Sequence, residues 1–187
     1  MMYRCLIANR GEIAVRIIRA CRELNIETVA IYAKGDENSL HVSLADQAIC
    51  IGEANPLDSY LNIDRIISAA KVTESNVIHP GYGFLSESTN FAKAVEDNHI
   101  HFIGPSKTTM EMMGDKITAR QTVKQAGVPV IPGSNDAVQS VDEIKLLSKE
   151  IGFPVVLKAA SGGGGKGIRI VKEASHLDQA LKEIGRA

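Results

Sequence analysis

Short apolar runs alternate along the first hundred residues with segments whose apolar positions recur every three or four residues. The runs predict buried strands, and the wider spacing predicts helices with one apolar face. Strands are predicted at residues 4–8, 28–32, 47–51, 76–79 and 101–103, and helices at 12–24, 62–70 and 89–97. Because helices separate successive strands, the pattern predicts an α/β domain with a doubly wound parallel sheet.

The apolar faces of two helices give a first estimate of the core. The positions predicted to face inward are Ile13, Ile17, Ala20 and Leu24 in the first helix and Ile63, Ile66, Ile67 and Ala70 in the second. The outer face of the first helix carries Arg16, Arg19 and Glu23, which form either a solvated charge stripe or a contact between two copies of the chain.

The pattern changes after residue 104. Helices are predicted at residues 107–113, 115–126, 141–151 and 176–184, and strands at 154–159 and 168–171. The apolar run at 154–159 predicts a buried strand, with Lys158 near its end. Residues 132–136, Pro-Gly-Ser-Asn-Asp, have the composition of a linker, and the pattern predicts a domain boundary there.

A glycine-rich loop, Ser161-Gly162-Gly163-Gly164-Gly165-Lys166-Gly167, separates the two later strands and is therefore the tip of a hairpin. Glycines leave backbone amides accessible and allow positive φ, so the tip is suited to binding phosphate oxygens. Lys158 and Lys166 add positive charge at its ends. A Walker P-loop is excluded because Ala160 stands at its first glycine position and Gly167 follows the lysine. A flexible glycine hairpin without a ligand is the alternative.

Two turns at the carboxyl ends of predicted strands are candidates for ligand binding, because doubly wound sheets bind ligands there. Residues 8–14 contain one glycine where a dinucleotide fingerprint needs three, which disfavours NAD. Residues 79–87, His-Pro-Gly-Tyr-Gly-Phe-Leu-Ser-Glu, contain two glycines and have Ser86 at the third position. This turn either lines a cleft or is an ordinary Pro-Gly turn packed by Tyr82 and Phe84.

Composition restricts the possible functions. The chain has 187 residues, 44% hydrophobic and 23% charged, with a formal net charge of −1. Interspersed charges give no indication of a nucleic-acid or membrane partner. The N-terminal apolar run is too short for a signal peptide and no run approaches a membrane span, so a cytoplasmic location is expected. Cys5, Cys21 and Cys50 lie in apolar segments and are expected to be reduced core thiols.

Four segments together resemble biotin carboxylases in their order and spacing: residues 7–14, 79–87, 113–116 and 158–167. The resemblance implies a Rossmann-like N-terminal domain at residues 1–114. It also implies the beginning of an ATP-grasp domain at residues 115–187, with the glycine hairpin as its lid. Members of this family are about twice this length or more, so the chain is expected to be an N-terminal portion of a longer enzyme.

The implied reaction is the ATP-dependent carboxylation of biotin on a carrier protein, with bicarbonate as the carbon source and Mg²⁺ accompanying ATP. The resemblance makes Lys116 and Lys158 phosphate lysines, with Gly163, Gly164, Gly165 and Lys166 also at the nucleotide, and it places Tyr82 and Gly83 beside biotin. Residues that bind adenine, Mg²⁺ and bicarbonate would follow Ala187. No catalytic residue or metal ligand is therefore assigned, and the chain alone is expected not to turn over.

The resemblance also implies partners: a biotin carboxyl carrier protein, a carboxyltransferase and a second copy in a homodimer, as in acetyl-CoA carboxylase of fatty acid synthesis. Two alternatives stay open. One is a non-catalytic module for nucleotide binding or dimerisation. The other is a different ATP-grasp ligase, such as half of a carbamoyl-phosphate synthetase or a purine-pathway carboxylase, against which the 79–87 turn argues by resemblance.

Overall fold

A computed structural model describes residues 3–114, 116–134, 138, 140–158 and 167–184, with the backbone alone at Lys116. The chain divides into two compact units, Met1–Gly114 and Asp115–Ala187. The linker-like residues 132–136 therefore fall inside the second unit.

The first unit is a doubly wound sheet flanked by helices. Its strands are β1 (Arg4–Ile7), β2 (Glu27–Ala33), β3 (Gln47–Gly52), β4 (Val77–His79) and β5 (His101–Phe102), and its helices are α1 (Gly11–Glu23), α2 (Leu40–Leu44), α3 (Ile63–Val72), α4 (Thr89–Asp97) and α5 (Lys107–Gly114). The strand order is β3-β2-β1-β4-β5 and every pairing is parallel. The predicted fold class is confirmed. The order reverses between β1 and β4, so the turns after these two strands meet at the switch point.

The core lies on both faces of the sheet, as the alternation of side chains along a strand requires. Leu6 packs with Ile31, Ile66 and Phe91 on one face. The neighbouring Cys5 and Ile7 belong to the other face, which α1 covers through residues such as Ile18. Both faces are thus apolar, as expected for a parallel sheet covered by helices.

The predicted inward face of α1 is partly wrong. Ala20 is exposed and Leu24 is 70% exposed, whereas the buried positions are Ala14, Val15, Ile17, Ile18 and Cys21. The buried stripe is therefore rotated by about one position from the predicted one. The predicted stripe instead lines an open groove of about 390 Å³, together with Ile26 and Ile103.

The cysteines also divide. Cys5 and Cys21 are buried in the same apolar cluster, as predicted. Interaction with the Cys21 thiol, together with burial, raises the pKa of Cys5. Cys50 is exposed, contrary to the prediction, because β3 is an edge strand and one of its faces is open.

The second unit contains α6 (Lys116–Gln125), α7 (Val141–Ile151), an antiparallel pair β6 (Val155–Lys158) and β7 (Ile168–Val171), and α8 (Leu177–Ile184). Ser140 caps α7 by accepting a hydrogen bond from the backbone N–H of Glu143 at 3.2 Å. Val155 and Val171 pack against Leu177 of α8. The other face of the pair is open, with Val156 52% exposed. The described part of the predicted strand, residues 154–158, is therefore not the fully buried strand that the apolar run predicted.

No helix in the part of the chain that the structure describes is long and apolar enough to span a membrane.

Candidate active site

The turn after β4 has an unusual backbone. Gly81, Gly83 and Phe84 have φ of 66°, 71° and 39°, all in the left-handed region. Glycine adopts this region without a steric penalty, whereas for a residue with a Cβ, such as Phe84, this region has a higher conformational free energy. A non-glycine residue held in this conformation must be fixed by its surroundings.

Asn9 provides one such fixation. It lies two residues after the end of β1, next to Ala8, and its side chain is fully buried. Its Nδ2 donates to the backbone carbonyls of Pro80 and Tyr82, both at 2.9 Å, and its Oδ1 accepts from the backbone N–H of Arg10 at 2.9 Å. One side chain at the end of β1 thus holds two carbonyls of the turn that follows β4.

Gly81 is required by this contact as well as by its φ. A Cβ built at Gly81 would lie 2.6 Å from Cγ2 of Ile13 and 2.8 Å from Nδ2 of Asn9. Gly83, two residues further on, has no heavy atom within 4 Å of such a Cβ. The close approach of the turn to β1 and α1 is therefore made at Gly81.

His79 begins the turn and holds it from inside. Its Nδ1 accepts a hydrogen bond from the backbone N–H of Gly81 at 3.0 Å, which requires an unprotonated Nδ1. Burial lowers the pKa of His79, which favours the neutral ring that can accept this bond.

Phe84, at the far end of the turn, stacks on a polar network. Its ring lies parallel to that of the buried Tyr60, with centroids 5.3 Å apart. The Tyr60 hydroxyl donates to Asp36 at 2.6 Å and accepts from the backbone N–H of Ala33 at 3.0 Å. Arg10 donates to the same carboxylate from Nε at 2.7 Å. The network joins residues that follow β1 and β2 to the turn after β4.

These contacts set the charge states of the network. The hydrogen bond from Arg10 lowers the pKa of Asp36, with Tyr60 acting in the same direction. Burial, followed by the bond to Asp36, raises the pKa of Tyr60 to about 12. At neutral pH the network therefore consists of a carboxylate, a guanidinium and a neutral phenol.

Tyr82 and Gly83, predicted to border biotin, both lie on the surface of this turn. Tyr82 is 56% exposed, and its hydroxyl donates to the Glu12 carboxylate in the first turn of α1. That bond raises the pKa of Tyr82. The structure thus presents Tyr82 and Gly83 at the carboxyl edge of the sheet, on a turn held at Asn9, His79 and Tyr60.

The predicted nucleotide residues belong to the second unit. Lys158 is the last residue of β6, pairs with Ile168 across the hairpin and is exposed. The expectation that its ammonium leaves a buried strand is therefore wrong. Lys116 is the first residue of α6. Gly163, Gly164, Gly165 and Lys166 lie outside the described residues.

Lys158 lines a groove of about 530 Å³ in the second unit, together with apolar side chains such as Ile144 and Val156. Arg120 also lines it, but its guanidinium is engaged: Nη2 donates to the carbonyls of Ile131 at 2.6 Å and Gly133 at 3.3 Å. Arg120 thereby ties α6 to the following segment, whereas Lys158 supplies an exposed charge beside the glycine-rich loop.

Within the described residues, no three His, Cys, Asp or Glu side chains are grouped so as to hold a metal ion.

The sequence did not reveal the contacts that fix the turn. Asn9 carried a usable signal, since it is a polar residue directly after a buried strand at the predicted ligand edge. Asp36 and Tyr60 carried none, because 24 residues separate them and nothing in the pattern pairs them with Phe84.

The first unit is a doubly wound α/β unit with a fixed, surface-exposed turn at its switch point, and the second unit contains a strand pair joined by a glycine-rich segment. The protein therefore belongs to the class of α/β proteins that bind ligands at the carboxyl edge of the sheet. Comparison with known proteins identifies the family. Residues 1–110 match the model of the biotin carboxylase N-terminal domain, and residues 115–186 match that of the carbamoyl-phosphate synthase L chain ATP-binding domain. The chain belongs to the biotin carboxylase family.

Individual relatives agree with this assignment. The chain is 53% identical to Biotin carboxylase 1 of Bacillus subtilis over 97% of its own length and 40% of the relative's. Its structure resembles the β,γ-ATP complex of Campylobacter jejuni biotin carboxylase, with a TM-score of 0.91 and 46% identity over 100% of this chain and 42% of that one. It also resembles the biotin carboxylase domain dimer of Hydrogenobacter thermophilus 2-oxoglutarate carboxylase, bound to MgADP, ADP and bicarbonate, with a TM-score of 0.85, 49% identity and the same two coverages. The chain thus spans about two fifths of the length of these relatives.

Proposed function

We propose that this chain supplies the biotin-facing turn and phosphate-binding lysines of a biotin carboxylase, which uses ATP and bicarbonate to carboxylate biotin on a carrier protein. One observation carries the proposal. The 79–87 turn, whose sequence resembles the family's, is held in a strained form that exposes Tyr82 and Gly83 at the carboxyl edge of the sheet. Strain maintained by surrounding contacts is typical of functional turns.

The second unit would act on the nucleotide. In the proposed reaction, ATP transfers its γ-phosphoryl group to bicarbonate, which gives ADP and carboxyphosphate. Carboxyphosphate breaks down to CO₂ and phosphate, the phosphate takes the proton of the biotin ureido nitrogen, and that nitrogen bonds to the carbon of CO₂. Phosphoryl transfer depends largely on positioning and on neutralising charge. The exposed ammonium of Lys158 lies where the strand enters the glycine-rich loop and is suited to neutralising phosphate oxygens. We assign Lys116 and Lys166 the same role and Gly163–Gly165 that of amide donors.

The first unit would act on biotin. Tyr82 and Gly83 would border it through the exposed surface of the turn, while Asn9, His79 and Tyr60 fix the backbone from the buried side. A surface that is fixed before the substrate arrives loses little conformational entropy on binding. The turn is thus suited to orienting biotin.

Cofactors and partners follow from the same assignment. The similar structures include complexes with β,γ-ATP, with MgADP and with bicarbonate, which supports ATP, Mg²⁺ and bicarbonate as ligands here. The similar dimer supports a homodimer, for which the outer face of α1, with Arg16, Arg19 and Glu23, is the candidate contact. The remaining proposed partners are a biotin carboxyl carrier protein and a carboxyltransferase. Similar chains belong to 2-oxoglutarate and pyruvate carboxylases, so the final acceptor would be selected by the carboxyltransferase.

A chimera tests this function, with the chain replacing the matching segment of the Bacillus subtilis relative. We expect ADP release that requires both bicarbonate and biotin, and none from the 187-residue chain alone. A chimera that folds and releases ADP with bicarbonate and ammonia, but not with biotin, would favour carbamoyl-phosphate chemistry. Biotin-dependent ADP release by the chain alone would contradict the expectation that these 187 residues do not catalyse the reaction by themselves.

A further inference from the structure

We infer that Asn9 is a positioning residue for the biotin step: it sets the backbone of the 79–87 turn from the neighbouring strand and thereby places Tyr82 and Gly83. This inference rests on the proposed function, because its catalytic consequence requires that the turn borders biotin. The structural part, that Asn9 holds the turn, can be tested without substrate.

The contacts of Asn9 are specific to an amide side chain. Both ends of the side-chain amide are hydrogen-bonded: Nδ2 donates to the carbonyls of Pro80 and Tyr82, and Oδ1 accepts from the backbone N–H of Arg10. The side chain is fully buried, so water does not readily replace it. An aspartate has nearly the same shape and can still accept from Arg10, but it would direct a carboxylate oxygen at two carbonyl oxygens.

The turn has reason to need an external tie. Its backbone takes the left-handed conformation at Gly81, Gly83 and Phe84 within four residues. Hydrogen bonds inside the turn are few among the described contacts: Gly81 N–H to His79 Nδ1 at 3.0 Å, and Ser86 N–H to the Gly83 carbonyl at 2.9 Å. Asn9 adds two bonds that reach the turn from a different strand.

The topology explains why the tie comes from this residue. β1 and β4 are adjacent in the sheet, and the N–H of Ala8 continues their pairing by donating to the carbonyl of His79 at 2.9 Å. Asn9 is the next residue, just after the last backbone hydrogen bond that joins the β1 and β4 segments. Its side chain therefore bridges the opening cleft at the switch point, which is where doubly wound sheets bind ligands.

The first experiment measures amide hydrogen exchange by NMR in the 187-residue chain. In Asn9→Asp we expect exchange of the Gly81 and Ser86 amides to accelerate by about tenfold or more, since loss of a buried hydrogen bond shifts a local opening equilibrium by this order. The amide of Ile103, which donates to Ile78 within the sheet, should stay protected. Asn62→Asp is the matched control, because Asn62 caps α3 and aspartate caps equally well. If Asn9→Asp does not fold, Asn9→Ala takes its place. Unchanged exchange at Gly81 and Ser86 would overturn the inference.

The second experiment measures steady-state kinetics of the same variants in the Bacillus subtilis chimera. A positioning role predicts that the KM for biotin rises by roughly tenfold while the KM for ATP changes less than about twofold. Equal loss of activity with both KM values unchanged, or exchange that accelerates with no kinetic change, would contradict positioning for the biotin step. A wild-type chimera without biotin-dependent activity would refute the proposed function, and the exchange data would still decide whether Asn9 holds the turn.

Discussion

The ring of Tyr60 lies parallel to that of Phe84, with an interplanar angle of 1° and 5.3 Å between centroids. Tyr60 is 2% exposed and Phe84 is 40% exposed. A buried ring thus supports the exposed end of a turn whose backbone is strained at Phe84. The stack links the interior of the first unit to the surface that we propose to face biotin.

Tyr60→Phe and Tyr60→Leu separate the two roles of this side chain. Tyr60→Phe keeps the stack but leaves the Ala33 N–H without its acceptor, so we expect a loss of about 1–2 kcal/mol in unfolding free energy. Tyr60→Leu should cost a further 0.5–1.5 kcal/mol or so, because the aromatic pair is lost as well. Urea unfolding followed by circular dichroism measures both. Equal stabilities of the two variants would show that the stack contributes nothing.

Gly81→Ala and Gly83→Ala form a matched pair, since both residues have positive φ and only Gly81 is crowded. Gly83→Ala should cost about 1–2 kcal/mol, the price of the left-handed conformation. Gly81→Ala should cost roughly 1–3 kcal/mol more, because its Cβ would displace Ile13 or break the contact with Asn9. The same unfolding assay applies. If both variants lose the same amount, the close approach at Gly81 has no energetic weight.

Stability of the first unit should decline below about pH 6.5 because of the buried His41 and the partly buried His79. Burial lowers the pKa of His41, which is 1% exposed. Below about pH 6.5, the ordinary histidine pKa, the unfolded chain takes up a proton that the folded chain refuses, so unfolding becomes easier as the pH falls. One such group costs at most about 1.4 kcal/mol at pH 5.5, and nothing well above pH 6.5.

His41→Gln should therefore reduce the difference in unfolding free energy between pH 7.5 and pH 5.5, whatever its effect at pH 7.5. His101→Gln, which removes an exposed histidine, is the control and should leave that difference close to the wild-type value. An unchanged pH dependence in His41→Gln would mean that this ring does not control the acid sensitivity.

The sequence was sufficient for the sheet and insufficient for the details of the site. Ile66 and Ile67 were correctly placed inside because helical spacing is set by local geometry. Leu24 was misplaced because which side of α1 is covered depends on elements distant in the chain. Cys50 was misplaced because an edge strand has the same apolar pattern as a central one. The Asp36–Tyr60–Phe84 arrangement depends on tertiary contacts that no local pattern encodes.

The motifs identified the candidate positions, and the structure adds how they are held. Tyr82 and Gly83 were selected by resemblance, whereas the contacts of Asn9 that fix their backbone became apparent from the fold alone. The nucleotide role of Lys116, Lys158, Lys166 and the glycine-rich loop stays a prediction.

The central claim is that the second unit holds ATP through its lysines, and the dissociation constant of ATP for Lys158→Ala in the chimera tests it most directly. A charge-assisted contact contributes about 1.5–3 kcal/mol, so titration calorimetry should show roughly ten- to a hundredfold weaker binding. Lys116→Ala should weaken ATP binding by a similar factor, and Lys166→Ala should weaken it less. Because Lys158 is exposed, the melting temperature of the Lys158→Ala variant without nucleotide should stay close to the wild-type value. Lys172→Ala, an exposed lysine just beyond β7, is the control and should bind ATP normally. Unchanged ATP affinity in Lys158→Ala, with or without a loss of stability, would contradict the claim.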